Sequence, residues 1–149
     1  MNSFFTAIAD NKILMVAIAA WVLAQVLKTI IYYCLLKEVT IERMFGAGGM
    51  PSSHSALVVS LSTAIGMIEG VESTNFAISV VFAVVVMYDA TGVRQAAGKH
   101  AKAINRIAKQ LSSKNTFDDI SLKELLGHTP IEVIAGALLG FFVAYIFTK

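Results

Sequence analysis

The segment from Ile13 to Leu36 is apolar throughout except at Gln25 and Lys28, and it limits this chain more than any other feature. It exceeds the roughly 20 residues that an α-helix needs to cross the hydrocarbon core of a bilayer. A span in lipid must satisfy its own backbone hydrogen bonds, so the run predicts a helix. Three more apolar runs follow. Ala56–Ile68 is short, with a helical extension back through Ser52–Ser55. Phe76–Tyr88 is rich in valine, and its β-branched content would favour a strand in water, but in lipid helix prevails. Ile131–Phe147 carries Gly136 and Gly140 four residues apart, a small-xxx-small spacing that permits close helix contact and also admits a homodimer. The segment before the first run, Met1–Asp10, lacks a basic region and a small-residue cleavage site, so the run reads as a span and not a cleaved signal.

Composition agrees with an all-α, polytopic membrane helix bundle of about four transmembrane helices in one domain. The 149 residues are 56% hydrophobic and 15% charged, with a mean hydropathy of +0.71. A soluble domain of this size has too little interior for so much apolar surface. Disorder is excluded by the same figures, and a net charge of +2 gives no sign of a nucleic-acid partner. Cys34 is the single cysteine, so no intramolecular disulfide can form, and a buried small hydrophobe is the expected role. No Cys/His spacing suggests a metal site, and no cofactor is expected.

The long polar connection, between the third and fourth runs, begins with a basic amphipathic helix. From Arg94 to Leu111, Ala97, Ala101, Ile104, Ile107 and Leu111 recur at helical spacing among Lys99, Lys102, Arg106 and Lys109. This helix lies at the interface or covers the bundle. Ser112–Asp119 reads as a linker, and Ser121–Glu124 as a capping box opening a short helix that Gly127 ends. Basic residues gather in the first and third connections, whereas the second has Glu69 and Glu72 and no cation. The positive-inside rule places the first and third connections in the cytoplasm and both termini outside; cations that bind an anionic substrate would give the same asymmetry.

Alternating spans bring the polar exceptions to one membrane face. Pro51-Ser52-Ser53-His54 opens the second span, Asp89 and Arg94 follow the third, and His128 precedes the fourth. Polar groups at membrane depth are costly and are functional candidates by default. The loop from Gly46 to His54, with Pro51 near the first helical position, leaves free N–H groups at a positive helix end, a phosphate cradle with a titratable histidine. An ordinary glycine-rich loop with a serine cap has the same pattern. His128-Thr-Pro-Ile-Glu132 contains a Thr-x-x-Glu capping box with Pro130 at the first helical position. Glu132 therefore either caps its helix or orients the His128 imidazole, which would leave the other ring nitrogen free as base or nucleophile. Asp89 and Arg94 form either an interfacial ion pair or a phosphate clamp held in place by the carboxylate. Lys28 either faces the site or snorkels to the interface, and snorkelling is the favoured expectation. His100, on the basic helix, is read as a surface residue.

These segments resemble the divergent branch of the type 2 phosphatidic acid phosphatase family, related to membrane lipid phosphatases and vanadium haloperoxidases. The resemblance rests on Gly48–Ala56, Asp89–Arg94 and Leu126–Val133 and extends roughly from Gln25 to Gly140. It implies metal-independent hydrolysis of a lipid phosphate or polyprenyl (di)phosphate through a phosphohistidine. By match, Ser52 and Ser53 would bind phosphate, with Ser53 standing where the parent family has glycine. His54 would protonate the leaving oxygen and His128 would attack phosphorus, with Glu132 at the position of an aspartate. Two parental arginines are absent in place. Leu122 stands where one belongs, and Lys37 is followed six residues later by Arg43, with Met44 next. Arg94, with Arg43 or Lys28, would take over the charge. The partners implied are a lipid phosphate substrate and membrane lipids. Two further readings stay open: a non-catalytic binder of phosphate or lipid, and a small transporter or assembly subunit in which Lys28 and Glu132 line a path.

Overall fold

The computed structural model describes residues 2–37, 49–112, 122 and 127–149. Six helices follow in order: α1 (Asn2–Asp10), α2 (Lys12–Leu36), α3 (Ser53–Ile68), α4 (Thr74–Thr91), α5 (Val93–Ser112) and α6 (Pro130–Thr148). There is no strand among the described residues, and the valine-rich third run is helical as lipid requires. α2, the helical stretch that begins with α4, and α6 are long and apolar enough to cross a membrane. At 16 residues α3 reaches only about 24 Å, short of a core of about 30 Å. The expected linker and the Ser121–Glu124 capping box lie outside the described residues, apart from Ser112 and Leu122, as does Arg43.

Helix α3 can be short and rich in serine because protein surrounds it. It packs against α2, α4 and α6, and α1 and α5 lie at the margin. The hydroxyls of Ser60, Ser62 and Thr63 donate to the carbonyls of Leu57, Val58 and Val59 on their own helix, so these polar groups need no water.

Small side chains fill the interior and large ones point outward. Ala20, Ala24, Ala56, Ala64 and Ala144 are fully buried, whereas Val81, Phe82, Phe142 and Ile146 are more than half exposed. In water such a surface would aggregate. In lipid it costs nothing, and close approach of backbones supplies the packing. Cys34 obeys the same rule. It lies exposed on α2 and is not the buried small hydrophobe expected from the sequence, because the outer side chains of a membrane span face lipid and not protein.

The small-residue pair of α6 works within the chain. A Cβ on Gly136 would sit 2.2 Å from the Ser52 carbonyl oxygen, and one on Gly140 would sit 2.3 Å from that of Ala56. Ser52 and Ala56 are also four apart, so two matched steps of backbone meet across the α3–α6 contact. Gly136→Ala is expected to destabilise the protein by about 1–3 kcal/mol, because backbone atoms must move to relieve the clash. Thermal unfolding in detergent checks this, and an unchanged midpoint would refute the close contact.

Candidate functional site

The start of α3 is built from Ser52 outward. Ser52 is the N-cap, its Oγ accepts from the Ser55 amide and from the Ser55 hydroxyl, and both serines are buried. Pro51 therefore lies before the cap and not at the first helical position as expected from the sequence. With the Ser55 amide engaged, the N–H groups of Ser53 and His54 remain at the positive end of the helix.

Two backbone hydrogen bonds join the three sequence clusters. The Ser52 N–H donates to the Glu132 carbonyl at 3.0 Å, and the His128 N–H donates to the Ala90 carbonyl at 2.9 Å. The second bond exists because α4 ends at Gly92, freeing the Ala90 carbonyl from the helical pattern. Gln95 Nε2 then donates to the His128 carbonyl at 3.4 Å. Gly127 makes this crossing possible: its φ is +90°, and a Cβ there would meet the Gln95 nitrogen at 2.4 Å. Neither Ala90 nor Gln95 stands out in the sequence, since their contribution comes through a carbonyl and an amide placed by the break.

His128 is 2% exposed, and neither ring nitrogen has a hydrogen-bond partner among the described residues. His54, which is exposed, presents its ring edge to face with that of His128, centroids 6.1 Å apart. Glu132 does not hold the imidazole. Its carboxylate accepts from the Thr129 N–H at 2.9 Å and Thr129 Oγ1 accepts from the Glu132 N–H, completing the capping box of α6. The helix start thus wins the carboxylate, because three-residue reach back to the cap fits its side chain. Arg94 and Asp89 form a half-exposed pair through Nε and Oδ2, which leaves the terminal guanidinium nitrogens available as donors.

Lys28 overturns the expectation of snorkelling. It is 1% exposed and continues the buried stripe of Val16, Ala20 and Ala24 on α2, four residues per step. Its charge is within electrostatic reach of His54, His128 and Glu132. That periodicity was available in the sequence: a lysine in register with two buried alanines points inward.

Burial first, then the charges of Lys28, His54 and Arg94, push the His128 pKa down to about 4. The imidazole is neutral at physiological pH. Between about 4 and the ordinary 6.5, the unfolded chain holds a proton that the folded one does not. Stability therefore falls as pH drops through that window, by on the order of 3 kcal/mol from this group. An NMR titration of His128 is expected to show its midpoint near 4, and a midpoint at 6.5 would refute the desolvated setting. The same acid-side loss is expected to shrink in His128→Leu.

No group of three or more potential metal ligands clusters among the described residues. An apolar groove of about 430 Å³, lined by residues such as Val59, Phe76, Ala83 and Phe141, includes neither of the two histidines.

No solved structure matches the chain. It is 39% identical to the uncharacterized membrane protein YuiD of Bacillus subtilis (strain 168), over 147 aligned residues covering 91% of this chain and 93% of YuiD. A family model described as the divergent PAP2 family matches residues 9–143. With its all-helical bundle, its apolar spans and its His54 and His128 rings brought edge to face, the chain belongs to the divergent PAP2 family of membrane proteins.

Proposed function

We propose that this protein hydrolyses a lipid phosphate or polyprenyl (di)phosphate, without a metal, at a site on the cytoplasmic face of a bacterial cell membrane. The observation that carries the reading is His128: a buried imidazole, neutral at physiological pH, with both nitrogens unpartnered among the described residues, beside the open start of α3. Leaving such a group unpaired costs about 1–3 kcal/mol, a cost that a nucleophile repays in chemistry and a structural histidine does not.

In this scheme an imidazole nitrogen of His128 attacks phosphorus in line. The P–O bond to the lipid breaks, and His54 gives its proton to the leaving oxygen. Water then attacks the phosphohistidine, and His54 accepts its proton as the N–P bond breaks. The N–H groups of Ser53 and His54, the hydroxyls of Ser52 and Ser53, and the free nitrogens of Arg94 meet the phosphoryl oxygens. Asp89 fixes Arg94 through Nε. Glu132 acts by capping α6, which fixes the segment that carries His128, and its charge lies within reach of Lys28.

The test is phosphate release from phosphatidic acid and polyprenyl diphosphate by purified protein in excess EDTA, beside His128→Ala. Release that persists in EDTA and vanishes in the variant is expected. Tight binding with no turnover would move the assignment to a non-catalytic phosphate binder.

A further inference from the structure

Helix α5 has three distinct faces. Gly98 and Ala101 are buried, and Asn105 beside them is half-buried, its side chain pairing with the Leu122 backbone through two hydrogen bonds. Lys99, Lys102, Arg106 and Lys109, spaced three and four apart, form an exposed basic face. On a third face Val93, Ile104 and Ile107 are 62%, 51% and 56% exposed. The helix contains neither Asp nor Glu. Among the other described helices only α4 packs against it.

We propose that α5 lies along the bilayer surface and docks on anionic lipid headgroups. Three observations place that occupant there. α4 covers about 27 Å by length and ends at Gly92, so α5 begins where a span leaves the hydrocarbon. Its exposed isoleucines and valine match the acyl boundary, while the exposed cations Lys99, Lys102 and Arg106, on a helix without Asp or Glu, match headgroup phosphates. A protein partner of opposite charge would satisfy the basic face and leave the apolar one in water. An anionic leaflet satisfies both at once. This inference is independent of hydrolysis, although Arg94 at the start of α5 sets the surface beside the site.

The experiment uses the full chain in a Cys34→Ser background, with a single environment-sensitive label at Ile104→Cys. The protein is reconstituted in phosphatidylcholine vesicles with and without phosphatidylglycerol. The label is expected to be shielded from an aqueous quencher, and the anionic lipid to raise the ratio of shielded to quenched label about fivefold or more. Combined Lys99→Glu, Lys102→Glu and Arg106→Glu is expected to remove that gain. Equal quenching in both lipids would overturn the proposal. So would shielding that survives charge reversal, or that depends on protein density and so reports a second copy. The lipid comparison on the labelled parent keeps the test valid if the charge-reversed variant fails to fold.

Discussion

His128→Ala is expected to lower phosphate release by at least about a thousandfold, the scale on which a nucleophile's removal is felt. The fold should survive it. The bonds that hold this segment run through the residue's backbone, from its N–H to Ala90 and from Gln95 to its carbonyl. Alanine keeps both, and the capping box of Thr129 and Glu132 closes the helix start independently. His128→Leu separates chemistry from structure more sharply. Leucine fills much of the same volume and removes two buried nitrogens that lack partners among the described residues, so its thermal midpoint is expected to equal or exceed that of the parent. A histidine retained for packing or hydrogen bonding would show the reverse, a lower midpoint with activity reduced only in step. Rate and stability thus move in opposite directions if His128 is the nucleophile, and together if it is structural.

The sequence makes the bundle legible because lipid simplifies the code: long apolar runs must be helices, and polar residues within them need reasons. It also brings His54, Asp89, Arg94 and His128 to one face, since alternation of spans settles which ends share a side. Two things are not legible. The fate of the Glu132 carboxylate was ambiguous because two partners, the Thr129 amide and the His128 ring, lie within one turn of it, and local capping is the closer. The contribution of Ala90 and Gln95 was hidden because it belongs to backbone and amide groups exposed by the break at Gly92. Lys28 is different: residue type alone sends it to the interface, but register does not. Its place in the Val16, Ala20, Ala24 stripe decides its direction, and that four-residue step is present in the sequence.

Lys28→Met is expected to cost about a hundred- to a thousandfold in kcat, because it removes a fixed cation from a site with low water access. By the resemblance, the parental arginine positions hold Leu122 and Met44 here, so in the proposed hydrolysis charge on the transferring phosphoryl group would come from elsewhere. In the proposed hydrolysis Arg94 would supply part of it, from a half-exposed position where solvent screens its field. Lys28 is buried within reach of both histidines and forms no ion pair among the described residues. A cation so placed acts in a medium of lower dielectric and is worth more per charge. Burying it unpaired also destabilises the fold, so the methionine variant is expected to unfold at a higher temperature than the parent. If Lys28 serves transition-state charge, kcat falls while substrate affinity changes less, and stability rises. If it serves only to pair with Glu132, stability falls and the kinetic loss follows from partial unfolding. Measuring kcat, KM and the thermal midpoint on one preparation distinguishes the two, and unchanged kcat in a stable variant would remove Lys28 from the site.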